Sequence, residues 1–233
     1  MNIEDSQKFL FEKYYCYIKD FANHGFQSLE EEFKKYWEKL FLDEKFKNYT
    51  RRKRRILRYF YKPGSPLKIN KETVIDSKLK HKIKYTDGPS ELTYVEDSFI
   101  THPITQHIIN SDLKILTKQL DSSKEYYVDI HLFRVEATNG KISPTTSGIH
   151  QDGADWACIH FINADNVLPV VSAIHSTEEE NITPLFKTVL NTFLETIIVN
   201  DKKIFHSASE VKQNDVNKIA FRDLLLVILK PTN

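Results

Sequence analysis

The chain has 233 residues, with 33 lysines and arginines against 32 aspartates and glutamates, so its formal net charge at pH 7 is +1. With that balance, the net charge creates no overall electrostatic potential that would attract nucleic acid or anionic membranes. With only two cysteines, the chain cannot form a disulfide framework, a four-cysteine zinc site or an iron–sulfur ligand set. A composition of 40% hydrophobic and 28% charged residues is typical of a globular protein.

Residues 1–50 predict a helical preface. Apolar residues recur at helical spacing over residues 6–22, and a second helix is predicted after Ser28, where Glu31 completes a capping-box pattern. The first five residues do not open a basic region followed by an apolar run, so we expect no signal peptide. Because no apolar stretch approaches the roughly 18 residues of a membrane span, we expect a cytoplasmic protein without a membrane partner.

A basic run at Arg51–Arg55 opens a predicted strand that extends to Tyr61. Side chains alternate along a strand, so one face would carry three arginines that could line an anion pocket, together with two apolar residues: Arg52, Arg54, Ile56, Arg58 and Phe60. The alternative interpretation is a nucleic-acid patch. With a net charge of +1 the patch is the weaker interpretation, and we expect no nucleic-acid partner.

Strand-like segments dominate the chain beyond a predicted helix over residues 103–120. They are rich in Val, Ile, Phe and Tyr and lie at 126–137, 157–162, 167–174, 196–199, 203–205 and 219–229. Asn200–Lys202 is predicted to be a hairpin turn between two strands, and Thr183–Pro184 to begin a short helix over 184–193. Helices followed by many strands indicate an α+β protein whose C-terminal half is a sandwich or small barrel.

His150 and Asp152 are the first candidates for chemistry. Two positions apart on a strand, they would point to the same side, where an imidazole and a carboxylate can bind one metal ion. Gly148 and Gly153 bracket the pair, at positions where the backbone must turn or approach something closely. The motif is a weak signal alone, but none of the other histidines begins an H-x-D or H-x-E.

His206 and Arg222 complete the set. Arg222 lies in a strand that is apolar on both faces, so its charge needs an anionic partner. Asp223 faces the opposite way, whereas a bound carboxylate would make a planar two-point contact. Two histidines and one carboxylate form the facial triad typical of non-haem Fe(II) oxygenases. Arg222, 16 positions beyond His206, also resembles the arginine with which 2-oxoglutarate-dependent oxygenases anchor the far carboxylate of their co-substrate.

The chain resembles the L-isoleucine dioxygenase family of Fe(II)/2-oxoglutarate-dependent amino-acid hydroxylases over most of residues 95–230. The segments that carry the resemblance are Asp97–Phe99, Ile130–Arg134, Ala137–Thr138, His150–Asp152, His160–Asn163, Leu194–Thr196, Lys203–His206 and Ala220–Val227. The resemblance implies one dioxygenase domain over residues 1–233. Its core, about residues 92–230, would be a double-stranded β-helix (a cupin-like jelly roll) flanked by N-terminal helices.

The resemblance also implies an activity. His150, Asp152 and His206 would be the catalytic Fe(II) ligands, and Arg222 would bind 2-oxoglutarate. The reaction would use O2 to hydroxylate an unactivated C–H bond of a free L-amino acid, yielding succinate and CO2. Two alternatives stay open: the same chemistry on a peptide, carrier-bound or natural-product substrate, and a non-catalytic nucleic-acid-binding module using Arg51–Arg55. We expect a monomer or homodimer.

Five further residues are candidates for binding the amino-acid substrate. Arg134 and Arg58 are placed to pair with its carboxylate. His131 is a third candidate, although it lies on the opposite strand face from Arg134, so the two are not expected to line one pocket. Asp155 and Trp156, just beyond the metal-binding motif, are expected to border the substrate.

Overall fold

The computed structural model describes residues 3–22, 25–77, 88–141, 143 and 148–232. The N-terminal elements are α1 (Ile3–Lys13), β1 (Tyr15–Ile18), α2 (Glu30–Lys34), a 3-10 helix (Lys35–Lys39), β2 (Phe41–Leu42) and a second 3-10 helix (Glu44–Phe46). The central elements are β3 (Arg51–Tyr61), β4 (Lys68–Asn70), β5 (Val74–Ser77), β6 (Gly88–Glu91), α3 (Asp97–Thr101) and α4 (Pro103–Leu116). The remaining elements are all strands: β7 (Tyr126–Ala137), β8 (Trp156–Asp165), β9 (Val171–His175), β10 (Phe186–Val189), β11 (Thr196–Asn200), β12 (Phe205–Ala208) and β13 (Ala220–Pro231).

The strands form one large antiparallel sheet and two smaller ones. The large sheet has the order β1-β11-β8-β13-β7-β3-β2, with β4 added beside β3. The smaller sheets have the orders β10-β9-β12 and β5-β6. A core cluster that draws residues from both the large sheet and β9, such as Phe133, Phe161 and Ile174, fills the space between them. The expected α+β architecture with a jelly-roll core is confirmed.

The two faces of the large sheet have different partners. The face bearing Leu57, Ile130 and Leu225 packs against the helices, in a cluster with Phe99 of α3 and Ile108 of α4. The opposite face turns toward the smaller sheet. Along one row of this inner face, paired residues run from β3 across to β11: Ile56, His131, Leu226, Ile159 and Ile197. Because paired residues point the same way, all side chains of one row lie either on the helix side of the sheet or on its inner side.

The predicted N-terminal helices are shorter in the structure. The helix expected over residues 6–22 ends at Lys13, and Tyr14 takes a positive φ of 65° before β1. β1 pairs with β11 at the edge of the large sheet, and this long-range pairing overrides the local helical periodicity. The capping box at Ser28 is also wrong, because α2 begins later, with Leu29 as an N-cap whose side chain makes no capping hydrogen bond.

Two predictions about the C-terminal half are also corrected. Asn200–Lys202 is not a hairpin turn, because β12 pairs with β9 of the smaller sheet rather than with β11. The turn therefore carries the chain between sheets. The helix expected over 184–193 is instead strand β10, which pairs with β9. The strand over Arg51–Tyr61 and the helix beginning at Pro103 are confirmed.

Both cysteines lie inside the sheet as free thiols. Cys16 and Cys158 are separated by one strand, since each is paired with Ile198 of β11 from opposite sides. Burial raises the pKa of Cys16 to about 12 and that of Cys158 well above its ordinary value, and the neighbouring Asp112 adds to both shifts. None of the described helices is long and apolar enough to cross a membrane.

A buried polar contact ties α4 to the large sheet. His160 Nε2 lies 2.9 Å from Asp112 Oδ2, and its Nδ1 lies 2.8 Å from Thr196 Oγ1. Both His160 and Asp112 are fully buried. His160 is therefore held within the protein interior on the helix side of the sheet, away from the candidate metal ligands.

We predict that Asp112→Ala lowers the free energy of unfolding by about 2–4 kcal/mol, because the buried imidazole loses its acceptor. Urea denaturation followed by circular dichroism measures the change. Glu31→Ala is the control: it removes a carboxylate that pairs with Lys34 at the surface, and we expect little change in stability. Equal losses in the two variants would contradict the prediction.

Candidate functional site

His150, Asp152 and His206 converge at one point beside the inner face of the large sheet. One nitrogen or oxygen atom from each lies within 4.8 Å of the others. Asp152 is between the two rings, with Oδ1 3.7 Å from His150 Nε2 and Oδ2 3.3 Å from His206 Nε2. Two imidazoles and one carboxylate at this spacing could hold a divalent metal ion and leave coordination positions open.

Backbone contacts bring the two histidines together from distant parts of the chain. The N–H of each donates to the carbonyl of the other at 3.0 Å, forming an isolated antiparallel bridge. Gly148 and Gly153 have φ values of 71° and 76°, so the chain turns sharply on both sides of the His150–Asp152 pair. The backbone turns expected at these glycines are confirmed.

The hydrogen bonds of His150 fix which nitrogen faces the site. Its Nδ1 lies 3.1 Å from the carbonyl oxygen of Gly148, where an Nδ1–H donates. Nε2 then carries its lone pair on the side facing Asp152. This orientation of a histidine ligand by a backbone carbonyl is common in metal sites.

Asp201 holds the other side of the site. Its carboxylate is buried and accepts hydrogen bonds from the backbone N–H groups of Asp152 at 2.9 Å and Ala154 at 3.0 Å. It also lies 3.7 Å from His206 Nδ1. Asp201 therefore supports the Asp152 loop through hydrogen bonds and lies beside the His206 ring without one. The sequence analysis missed this role because no spacing rule connects residue 201 with residue 152.

The charges of the cluster are coupled. Burial opposes ionisation of Asp152, yet His206 and His150 hold the pKa of its carboxyl well below the usual range. Burial also opposes a charged His206, but Asp152 raises the pKa of that imidazole above its ordinary value. Burial and the nearby Asp152 raise the pKa of Asp201 to about 6. Asp152 is thus an anionic ligand group facing two imidazoles.

Arg222 points into the same cavity from β13. Its side chain is buried, and its Nη2 donates to Ser172 Oγ at 3.2 Å. Burial lowers the pKa of this guanidinium to about 10. Among the described residues no carboxylate forms an ion pair with it, so its charge is opposed only by a neutral hydroxyl. A buried cation in this state is a binding group for an anion.

The cavity that joins these groups has a volume of about 170 Å³. Polar groups from three sides line it together with apolar side chains of the inner sheet face. The lining includes His150, Asp152, His206, Arg222, Ser172, Arg52, Arg54, His131, Ser90, Asp129, Phe46, Ile75, Phe133, Leu224 and Leu226. It can therefore enclose a small molecule with both charged and apolar parts.

Of the predicted substrate residues, only His131 lines this cavity. Arg134 lies on the helix side of the sheet and forms a two-point contact with Asp223, at 2.6 and 2.7 Å. Arg58 lies on the inner side, but its guanidinium is engaged by Asp129 at 2.5 and 2.9 Å and by Glu72 at 3.0 Å. Neither arginine reaches the cavity, because each is already paired within the protein.

Asp155 and Trp156 also lie outside the cavity lining. Asp155 pairs with Lys202 at 2.5 Å, near the turn between the sheets. Trp156 is buried at the start of β8 in the core cluster that faces the helices. The structure therefore does not bring these two residues into the cavity, because the chain turns away from the metal cluster after Gly153.

The basic run is compensated within the protein. Each of its five cations has a carboxylate partner: Arg51 and Lys53 contact Glu136, Arg52 and Arg54 contact Asp43, and Arg55 contacts Glu96. Five cations that share three carboxylates inside the protein offer less free positive potential to a phosphate backbone than an unpaired basic run would.

Comparison with known proteins is consistent with the geometry. The profile of the 2OG-Fe dioxygenase family matches residues 34–228. A curated relative, the bifunctional enzyme flvA of Aspergillus flavus, is 29% identical over 98 residues, which cover 37% of this chain and 12% of that protein. The chain therefore spans a small part of the length of that relative.

Three solved structures share the fold along nearly the whole chain. IDO from Bacillus thuringiensis aligns with a TM-score of 0.80 at 21% identity, covering 100% of both chains. A bsmA homolog from Methylobium petroleophilum PM1 aligns with a TM-score of 0.83 at 16% identity, covering 100% of this chain and 94% of that one. The Fe(II)/(alpha)ketoglutarate-dependent dioxygenase TqaL aligns with a TM-score of 0.72 at 16% identity, covering 98% and 86%.

We predict that His206→Ala weakens binding of Mn(II) or Fe(II) by at least about 100-fold, because one of three donor groups is lost. Anaerobic calorimetry measures the dissociation constant. His107→Gln is the control, since His107 lies on α4 with its ring near the Phe21 carbonyl, 3.1 Å away. Unchanged metal affinity in the His206 variant would show that the ion binds elsewhere.

Proposed function

We propose that this chain, which belongs to the 2OG-Fe dioxygenase family, hydroxylates an unactivated C–H bond of a free L-amino acid. As a member of that family it is a non-haem Fe(II)- and 2-oxoglutarate-dependent dioxygenase that uses O2. The observation that carries the proposal is one cavity in which a His-Asp-His cluster lies beside a buried Arg222 that no carboxylate of the described residues pairs with. We also propose that one domain, over residues 1–233, performs the reaction.

The donor set of the cluster fits Fe(II). In this proposal His150 and His206 each supply a neutral imidazole nitrogen and Asp152 supplies a carboxylate oxygen. Gly148 holds the His150 ring through its carbonyl, and Asp201 fixes the loop that carries Asp152. The three donor residues would hold Fe(II), which would supply the redox chemistry by which O2 is used to decarboxylate 2-oxoglutarate to succinate and CO2 and to hydroxylate the substrate.

Arg222 is assigned to the distal carboxylate of 2-oxoglutarate. A planar guanidinium makes a two-point contact with a carboxylate, and the pairing would neutralise a charge that is otherwise buried against a single hydroxyl. Ser172 then keeps one guanidinium nitrogen engaged, which orients the other nitrogens toward the cavity. The apolar neighbours Leu224 and Leu226, on the same strand face, exclude water from this contact.

An amino acid matches what remains of the cavity. Its volume of about 170 Å³ limits the occupants to small molecules. The apolar wall formed by Phe46, Ile75 and Phe133 suits an aliphatic side chain, and the charged groups along β3 suit its polar end. This combination, together with the resemblance of the chain to amino-acid hydroxylases, supports a free amino acid over a larger substrate.

We predict that at least one free L-amino acid stimulates succinate formation severalfold over the uncoupled rate. The assay contains the protein, Fe(II), ascorbate, 2-oxoglutarate and one amino acid at a time. Mass spectrometry of the active mixture should detect a product heavier by one oxygen atom. If no amino acid stimulates turnover while a peptide or carrier-bound residue does, the proposed substrate class is wrong and the oxygenase chemistry stands.

Arg222→Lys should raise the dissociation constant of 2-oxoglutarate by about 10- to 100-fold, because an ammonium cannot reproduce the two-point contact. Binding is followed anaerobically by the charge-transfer band of the Fe(II)–2-oxoglutarate complex. Arg134→Lys, the same change on the helix side of the sheet, should leave that constant unchanged. A normal constant in the Arg222 variant would remove the assignment.

A further inference from the structure

We propose that Arg54, backed by Arg52, forms a second anion subsite in the cavity and binds the carboxylate of the substrate. This inference rests on the proposed function and specifies its substrate further: a compound with a free carboxylate, rather than an ester, amide or thioester. The subsite differs from the Arg134 and Arg58 candidates of the sequence analysis, which are paired elsewhere.

The register of the large sheet separates this subsite from Arg222. Arg222 is paired with Val135 of β7, and Val135 is paired with Arg52 of β3. The two arginines therefore lie on one row of the inner face with β7 between them, roughly 10 Å apart at two inter-strand spacings. Arg54 lies one inner-face position further along β3, opposite Phe133. An anion on Arg222 thus leaves Arg54 available.

The charges around Arg54 are incompletely balanced. Arg52 donates to Asp43 Oδ2 through Nε at 3.0 Å and Nη2 at 2.7 Å, and its guanidinium stacks on Phe46 at 3.4 Å. Arg54 Nε lies 2.7 Å from the same oxygen in an ion pair that lacks the angle of a well-aligned hydrogen bond. One carboxylate thus serves two buried guanidinium groups, and Arg54 is the less satisfied of the two.

Besides His206 Nδ1 at the metal cluster, two further buried polar atoms of the cavity wall lack hydrogen-bond partners among the described residues. They are Ser90 Oγ on β6 and His131 Nδ1 on β7. Unsatisfied buried polar atoms are costly, and their convergence with Arg54 on one cavity is explained by a polar ligand group that contacts them. Burial and the charge of Arg54 hold the pKa of His131 well below its ordinary value, so this ring is neutral and leaves the anion to the arginines.

The subsite also lies within electrostatic reach of the metal cluster. Asp152 favours the charged forms of both Arg52 and Arg54, whereas burial lowers the pKa of both and brings that of Arg52 to about 9. A carboxylate bound to Arg54 would offset the electrostatic cost of burying these cations. It would also hold the rest of the substrate between the arginine and the cluster, along the apolar wall of Phe46 and Phe133.

The test uses the anaerobic complex of the full chain with Fe(II) and 2-oxoglutarate, whose charge-transfer band responds to occupancy beside the metal. The probes are free L-amino acids, the corresponding carboxylic acids without the amino group, and the amino-acid carboxamides. Arg54→Gln is compared with Arg54→Lys. The matched control is Arg55→Gln, which removes a guanidinium that faces the other side of β3 and pairs with Glu96.

We expect Arg54→Gln to raise the dissociation constant of carboxylate probes by about 10- to 100-fold, because a charge-assisted contact is lost. Arg54→Lys should cost less, and Arg55→Gln nothing. The 2-oxoglutarate constant should stay unchanged in all three variants, which separates loss of the subsite from loss of the fold. Carboxamides should bind weakly to the unsubstituted protein, and Arg54→Gln should weaken them no further.

Three results would overturn the inference. In the first, carboxylate probes bind Arg54→Gln as tightly as they bind the unsubstituted protein, and in the second, the carboxamides bind as well as the acids. The third such result is that no carboxylate probe perturbs the charge-transfer band. Loss of the band itself in Arg54→Gln would show that Arg54 supports the structure of the site and would also contradict the subsite. If only the acids without an amino group bind, and do so through Arg54, the subsite stands while the amino-acid substrate class fails. If an amino acid binds equally well to the unsubstituted protein and to Arg54→Gln, the subsite fails while the amino-acid substrate class stands.

Discussion

The reciprocal backbone hydrogen bonds between His150 and His206 are the constraint on which the candidate site depends. They join a loop that follows β7 to the first residues of β12, segments that are otherwise carried by different parts of the fold. Because the bonds are between main-chain atoms, they fix the two Cα positions whatever ion is present. Asp201 then accepts hydrogen bonds from the backbone of the Asp152 loop and so positions the third donor. Main-chain contacts therefore hold the backbone that carries the three ligand side chains.

Three arginines near that cluster line the cavity instead of facing solvent. Arg222, Arg52 and Arg54 are all on the inner face of the large sheet, and within the described residues Asp43 is the carboxylate that pairs with any of them. Burying unbalanced cations is unfavourable in the free protein. The cost is offset when anionic ligands enter, so the cavity is preorganised for molecules that carry carboxylates and discriminates against neutral ones.

The sequence predicted what depends on local pattern. Alternation placed Arg52 and Arg54 on one face of a strand, and the H-x-D motif with its flanking glycines marked the metal cluster. It failed where the outcome depends on a neighbour from a distant segment. β1 is a strand because β11 pairs with it, and Arg134 and Arg58 are unavailable because Asp223 and Asp129 lie opposite them on adjacent strands. Strand alternation predicts the face on which a side chain lies, but it does not predict which residue of a distant segment will contact that side chain.

The burial of Cys16 and Cys158 has a consequence for a protein that handles O2 and iron. Oxidants and alkylating reagents attack the thiolate, and both thiols are held protonated inside the sheet. Reactive oxygen species released during uncoupled turnover would therefore meet no reactive sulfur at these positions. Oxidative damage would then fall on the histidines and aromatic rings nearest the cavity rather than on a thiol of the sheet.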